Sequence, residues 1–491
     1  MITFTLNNET RTFEGDPNIS LLHYLREVEG ITSAKDGCSG QGACGSCLLE
    51  MNGKPVLSCR TKMSKVEGAS VTTIEGFDPQ LKDTLAKAFA EKGAVQCGFC
   101  SPGFLSRTKI LLDSNGSPSR EDIRDALKLN LCRCTGYVKI IDAIQYAAQK
   151  IAAGETIDLP VSGSIGDSYP KLDAYHRALG ENDFVSDMKV DGMLHGALKF
   201  SDHPRAEVIS IDYTAAERIP GVKRVFAADD IPGDRITGHL IDDWPLMVKA
   251  GEVTRYIGDV LAGVVAETEE IARSACEKIV VKYNVLPPLT DVLKAETSNI
   301  KVHDKGNLLN ETVIQRGEPI DEILASSDFV VKRTYQTQLV EHGFLETEAA
   351  LAEPWEGGEL KLFVQSQGIY EDRHLVSRIL NIPEDKIDVV LIPSGGAFGG
   401  KEDLTVQGHA ALFAHLLKKP VKVRLTRPES LRMHPKRHPL VMEYEVGCNK
   451  QGKLTGLKTR IIGDTGAYAS LGPAVMNRSA GHAAAGFHVP N

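Results

Sequence analysis

The sequence predicts an α+β protein of several domains, and three observations predict it. At 491 residues the chain is roughly three times as long as a typical domain, so more than one core is expected. Residues 1–76 read as a small α/β module, opening on strand-like alternation, and a helical period takes over from about 80 to 151. Beyond a stretch rich in Gly, Ser, Pro and Asp, strand-like runs return and dominate.

Each element has a local cause. Ile2, Phe4 and Leu6 alternate like a half-buried strand, and Arg11-Thr-Phe13 reads as its return. Ser20 is placed to cap a helix with Leu21, Leu22 and Leu25 on its apolar face. Leu48 to Leu57 reads as a hairpin turning at Asn52-Gly53, and Val71 to Ile74 as a closing strand. Four helices are then expected. The first carries Leu81, Leu85, Ala88 and Phe89; the second has Ser101 as N-cap and Pro102 at N1. The third opens on a Ser119–Asp122 capping box, and the fourth carries Tyr137, Ile140, Ile141, Ile144 and Ala148. Residues 153–180 read as a linker. Val260–Ala266, Thr268–Ile279 and Val280–Tyr283 then read as a βαβ-like unit. Strands are expected at Phe329–Tyr335, Leu360–Val364, Ile387–Ile392, Val421–Leu425 and Val441–Val446, with a helix near Thr405–Leu417.

Composition narrows the function. Hydrophobic residues make up 42% and charged residues 25%, which is globular and excludes a disordered chain. The net charge of −9 disfavours nucleic-acid and anionic-membrane partners. No apolar run approaches the ~20 residues that span a bilayer, and the N-terminus lacks the basic and apolar regions of a signal peptide, so a cytoplasmic protein is expected.

Eight of the ten cysteines lie between Cys38 and Cys134. Clustered cysteines in a reducing compartment point to metal or redox chemistry. Cys38, Cys44, Cys47 and Cys59 follow C-x5-C-x2-C-x11-C within the glycine-rich run Asp36 to Cys47. Four thiolates, three of them from one tight loop, are what a [2Fe–2S] cluster needs, and glycines let the backbone N–H groups face its sulfides. Cys97, Cys100, Cys132 and Cys134 form a second set, each pair preceding a predicted helix whose N-terminus would face an anionic cluster. Zinc sites, unrelated core cysteines for the first set, and a redox dithiol for the second are the alternatives.

The motifs DGCSGQGACGSC, QCGFCSPG, LCRCTGY and GGAFGGKE, in this order, resemble the molybdenum hydroxylases, the xanthine dehydrogenase and aldehyde oxidoreductase family. The family usually has C-x4-C in the first loop; the x5 spacer resembles the selenium-dependent xanthine dehydrogenase branch. The resemblance implies a β-grasp ferredoxin-like domain over 1–76, a helical [2Fe-2S]-binding bundle over 77–152, an α/β hammerhead domain over 181–300, and the first part of a molybdopterin-binding domain over 308–491.

It further implies that Cys38, Cys44, Cys47 and Cys59 hold the outer cluster, that Cys97, Cys100, Cys132 and Cys134 hold the molybdenum-side cluster, and that Gln96 touches the pterin. Gln367 would lie beside the molybdenum, with Gly396, Phe398, Gly399 and Gly400 in the loop that cradles its ligands. Glu402 would anchor a purine. Without the resemblance, Gln367 is a polar residue ending a strand, and Glu402 is a carboxylate opening a helix. Gly395 to Lys401 also fits G-x4-G-K, but Glu402 stands where a phosphate loop needs Ser or Thr, so nucleotide binding is rejected. His342 reads as structural, Cys276 as a buried thiol, and the basic run from Lys418 to Arg437 as a solvated face.

The implied activity is hydroxylation of a purine, xanthine or hypoxanthine, at a Mo-molybdopterin, with electrons leaving through both clusters. The pterin's cytosine dinucleotide form and a selenium ligand both stay open. The linker is too short for a flavin domain, so an external acceptor, such as a flavoprotein, is expected. The chain ends within the family's molybdenum region, so a complementary C-terminal molybdenum chain or a truncated product is expected. An aldehyde or another N-heterocycle is the alternative substrate, and a non-catalytic two-cluster carrier the alternative class.

Overall fold

The computed structural model describes residues 1–491, apart from the side chain at position 356. β1 (Ile2–Leu6) pairs antiparallel with β2 (Glu9–Phe13), and Ser20 caps α1 (Leu21–His23) by accepting from the His23 N–H. The helix then widens into a π turn over Tyr24–Val28. β3 (Leu48–Met51) and β4 (Lys54–Leu57) form the predicted hairpin, with Asn52 and Gly53 both at positive φ, as a type I′ turn demands. β5 (Ser70–Thr72) closes the module from the centre of its sheet, ordered β2-β1-β5-β3-β4, rather than from an edge.

The next module has the four predicted helices, α2 (Pro79–Glu91), α3 (Ser101–Ser114), α4 (Arg120–Ala126) and α5 (Val138–Ala153). The Ser119–Asp122 capping box forms in both directions. Ser101 does not cap α3. Cys100 occupies the cap position, which keeps its thiol on the loop and pushes Pro102 one place further in. The linker is shorter than expected, because α6 (Ala174–Leu179) lies inside it. Ala174, Ala178 and Leu179 bury in the same core as Phe89, Leu105 and Ile140. Val161, Ile165 and Leu172 stay fully exposed, so the unpacked stretch is roughly residues 160–172.

The third region departs most from expectation. Val260–Ala266 and Val280–Val285 flank the helix Glu269–Cys276 but lie in different sheets, so they make no βαβ unit. Val280–Val285 pairs antiparallel with Ala206–Asp212. Val260–Ala266 is a buried strand of a seven-stranded sheet ordered Ile387–Leu391, Leu360–Val364, Ala349–Pro354, Val421–Arg424, Leu194–Phe200, Val260–Ala266, Val222–Phe226. Strands from both sides of residue 300 share that sheet, joined by parallel pairing of Leu194–Phe200 with Val421–Arg424. The helix Gln407–Leu417 packs on it, with Phe413 stacked on Phe226 at 4.6 Å. A separate sheet holds Phe329–Gln336, Leu440–Cys448 and Leu454–Gly463. Among the described residues no helix is long and apolar enough to cross a membrane.

Candidate functional site

The structure gathers the eight clustered cysteines into two thiol quartets, and all eight are free thiols. In the first, Cys38 contacts Cys44 and Cys59, and Cys59 contacts Cys47. In the second, Cys97 lies 3.7 Å from Cys134 by sulfur, and Cys132 contacts Cys100 and Cys134. Each quartet divides its protons in the same way. Hydrogen bonds from neighbouring thiols hold Cys38, Cys47, Cys97 and Cys132 below the usual thiol value. Their partners Cys44, Cys59, Cys100 and Cys134 are pushed up by the same contacts and by burial. Four sulfurs linked in a chain of contacts, none in a disulfide, form a donor set that a cationic centre would turn into four thiolates. Backbone N–H groups of Ala43 and Cys44 point at Cys38, and that of Phe99 at Cys97, as an anionic iron–sulfur core requires. The donor sets fit iron–sulfur clusters.

The two quartets abut. The Cys44 carbonyl accepts from the Leu131 N–H at 2.8 Å, one residue before Cys132. Asn130 Nδ2 donates to the Gly45 carbonyl at 3.3 Å. Gly45 has φ +71°, and a Cβ there would stand 2.1 Å from the Leu129 carbonyl oxygen. Tyr137, the left-handed N-cap of α5, accepts from the Cys132 N–H at 3.1 Å and so braces the second loop.

A cavity of about 560 Å³ opens beside the second quartet. Arg133, His342, Phe398, Gly399 and Glu402 line it. Gln367 ends the strand Leu360–Val364 three residues on, and its Oε1 accepts from the Gly399 N–H at 2.9 Å. Gly396 and Gly400 lie behind that wall, where an added Cβ would crowd the Phe344 side chain. Gln96 Nε2 donates to the Cys134 carbonyl at 3.0 Å, beside Arg133. The structure thus brings Gln367, Phe398, Gly399 and Glu402 together and sets Gln96 on the adjoining loop. Glu402 opens no helix, since Gln407–Leu417 begins five residues later, and the dipole explanation for its carboxylate falls away.

Sequence reasoning missed the supports beneath this wall. Lys401 is 2% exposed and turned inward, donating to the Glu346 carbonyl at 2.9 Å and to Gln365 Oε1. Glu346 Oε2 accepts from the Gly395 N–H at 2.7 Å. Burial pulls Lys401 down to about 8 and pushes Glu346 up. The lysine of the G-x4-G-K match is therefore a strut for the loop rather than a phosphate ligand.

Glu341, His342 and His434 also converge. His434 lies 2.8 Å from Glu341 and 2.9 Å from Glu348, which hold its pKa above the usual value against burial. Lys436 stands 3.1 Å from the other Glu341 oxygen. With His434 protonated, two cations face two carboxylates here and the group needs no added cation. The basic run from Lys418 to Arg437 is not a solvated face. Lys422 is buried with its ammonium donating to the Met188 carbonyl at 2.9 Å, and Arg424 pairs with Glu269 at 3.2 Å. Cys276 is buried, which pushes its thiol up to about 12.

Comparison with known proteins places these sites in context. Four family descriptions match in series: a 2Fe-2S iron-sulfur cluster binding domain over 4–69, a [2Fe-2S] binding domain over 73–145, the aldehyde oxidase and xanthine dehydrogenase a/b hammerhead domain over 179–287, and a molybdopterin cofactor-binding domain over 302–491. The aldehyde oxidoreductase of Megalodesulfovibrio gigas is 32% identical over 99% of this chain and 56% of its own length. The nicotinate dehydrogenase of Eubacterium barkeri matches as two subunits. Its large molybdopterin subunit is 34% identical over 67% of this chain and 76% of that subunit, and its small FeS subunit 44% identical over 31% and 96%. The solved aldehyde oxidoreductase from Desulfovibrio gigas superposes with a TM-score of 0.95 at 31% identity, covering 100% of this chain and 57% of that one. The chain thus spans a little over half the length of the aldehyde oxidoreductase. With two [2Fe-2S] domains, a hammerhead domain and a molybdopterin-binding domain in series, it belongs to the molybdenum hydroxylase family of oxidoreductases.

Proposed function

We propose that this chain carries the electron-transfer domains and part of the molybdenum site of a purine hydroxylase acting on xanthine or hypoxanthine. The observation that carries the substrate is the Glu402 carboxylate, which lines the cavity wall with Phe398 and Gly399 and serves no helix cap. A carboxylate there accepts a hydrogen bond from a heterocyclic N–H, which an aldehyde lacks. Cys38, Cys44, Cys47 and Cys59 hold one [2Fe–2S] cluster, and Cys97, Cys100, Cys132 and Cys134 the other. Gln96, Gly396, Phe398, Gly399 and Gly400 hold the pterin, and Gln367 faces the reacting centre while fixing Gly399. When bound, the molybdenum cofactor supplies the two-electron oxidation and the clusters carry single electrons away. The hydrogen bond from Leu131 to the Cys44 carbonyl gives the clusters a short bonded connection. A flavoprotein takes the electrons, and a complementary molybdenum chain joins the site. The free thiols suit a reducing cytoplasm.

The test is oxidation of xanthine and of an aldehyde by the holoenzyme, read by dye reduction. Glu402→Gln is expected to lower kcat/KM for xanthine roughly 10- to 100-fold, the worth of one hydrogen bond to a charged group, and to spare an aldehyde. A second reading has its own support: the relative matched over 99% of this chain is named an aldehyde oxidoreductase. Aldehyde turnover without xanthine turnover establishes that reading. Iron without molybdenum, and no turnover of either, leaves an electron carrier.

A further inference from the structure

Arg427 opens the helix Arg427–Met433, far along the chain from the cysteine loops. Its side chain nevertheless reaches the first of them. Nε and Nη2 donate to the Gly37 carbonyl at 3.1 and 2.9 Å, and its backbone N–H donates to Ser39 Oγ at 2.8 Å. Gly37 and Ser39 flank Cys38. Nη2 also donates to the carbonyls of Phe344 and Leu345, both at 2.7 Å. Gly37 is itself wedged in place, since a Cβ there would meet the Leu345 carbonyl at 3.1 Å and Cys44 Sγ at 3.3 Å. One guanidinium thus ties the Cys38 loop to the strand-rich region that carries the cavity.

All its bonds run to neutral oxygens, and no carboxylate accepts from it among the described residues. A half-buried cation without a paired anion is costly unless an anion elsewhere completes it. Burial works against its cationic form; Glu348, Glu341 and, once ionised, the thiols of Cys44 and Cys38 act the other way. Once those thiols are thiolates around a cluster, the missing counter-charge is present. Adding an electron makes the cluster more anionic, and net charge and hydrogen bonding are among the levers on an iron–sulfur potential.

We propose that Arg427 is a positioning residue that raises the reduction potential of the cluster held by Cys38, Cys44, Cys47 and Cys59, and so draws the electron outward from the Cys97 cluster. The inference rests on the proposed ligation of both clusters. The step is a single-electron transfer: the Cys97 cluster is oxidised by one electron, the Cys38 cluster is reduced by one, and no bond or proton changes place.

The experiment is a dithionite redox titration of the holoenzyme followed by electron paramagnetic resonance, for the wild type, Arg427→Lys and Arg427→Gln. In Arg427→Gln the midpoint of the Cys38 cluster is expected to fall while that of the Cys97 cluster stays; in Arg427→Lys, which keeps the charge, most of the fall is recovered. A wild-type midpoint in Arg427→Gln, or an equal shift of both clusters, overturns the inference. Absence of both cluster signals in the wild type overturns the ligation reading instead. A second measurement needs no variant. If reduction strengthens the pull on Arg427, linkage requires that reduction tighten its contacts, so hydrogen exchange across residues 427–433 is expected to slow in the reduced wild type. Equal exchange in both redox states also overturns the inference.

Discussion

At position 45 one methyl group decides whether the two cysteine modules can touch. A Cβ on Gly45 would stand 2.1 Å from the Leu129 carbonyl, on a backbone with φ +71°. Gly45→Ala is expected to cost about 1–3 kcal/mol by overpacking, with a further ~1 kcal/mol for the left-handed backbone. Thermal unfolding reads the loss, and weaker magnetic coupling between the clusters reads the separation. His434 supports a pH prediction. Glu341 and Glu348 raise its pKa, so its ion pairs stabilise the fold fully below the ordinary histidine value and lose that contribution as pH rises through the raised one. Unfolding of the wild type from pH 6 to 9 is expected to show a decline that His434→Asn lacks; parallel curves would remove His434 from the account. The cysteines were legible because their spacing is local. Arg427 was not, because it answers to a carbonyl 390 positions earlier. Glu402 was legible as a charge, but its freedom from helix capping became visible only once the helix start was known.

Elements with local causes came through the sequence well. The Asn52-Gly53 hairpin and the Ser119 capping box form as their residues dictate. Elements whose cause is tertiary did not. Ala349–Pro354 begins Ala-Ala-Leu-Ala, which carries no alternation because its first four residues are buried, the pattern of a strand covered on both faces. The helix Glu269–Cys276 joins two sheets, which no periodicity announces. The short helix α6 hid in a stretch dominated by turn formers, yet its Arg177 donates to the Cys97 carbonyl at 2.8 Å. Leu179, 2% exposed in the bundle core, is its anchor. Leu179→Ala is expected to cost about 2–5 kcal/mol and to speed iron loss from the cluster proposed at Cys97 more than from the one proposed at Cys38. Calorimetry and release of chelatable iron measure the two effects.

For the whole molecule, the contacts between modules outweigh the tether. Asp187 is buried between Arg26 and Lys35, each 2.6 Å away, and Arg133 donates to the His342 carbonyl at 2.8 Å. A protease site inserted between residues 162 and 168 should therefore be cut without separating the fragments on size exclusion, even at raised salt, since buried pairs are weakly screened. Asp187→Ala leaves two buried cations unpaired, a loss of about 3–5 kcal/mol, and the cut protein should then come apart. Coelution of the cut variant would show that the triad does not hold the modules together. The domain order was readable from the succession of periodicities. The sheet shared across residue 300 was not, because strand partners distant in sequence leave no local mark.

That shared sheet has a bearing on how the chain is made. Leu194–Phe200 finds Val260–Ala266 on one side soon after synthesis, but its other neighbour, Val421–Arg424, emerges from the ribosome much later. Throughout that interval a nascent apolar edge stands open, the kind of surface that misassembles and that holding factors cover. Translation pauses and chaperone supply between those two points should govern the soluble yield of this protein more than any rare codon in its cysteine-rich start.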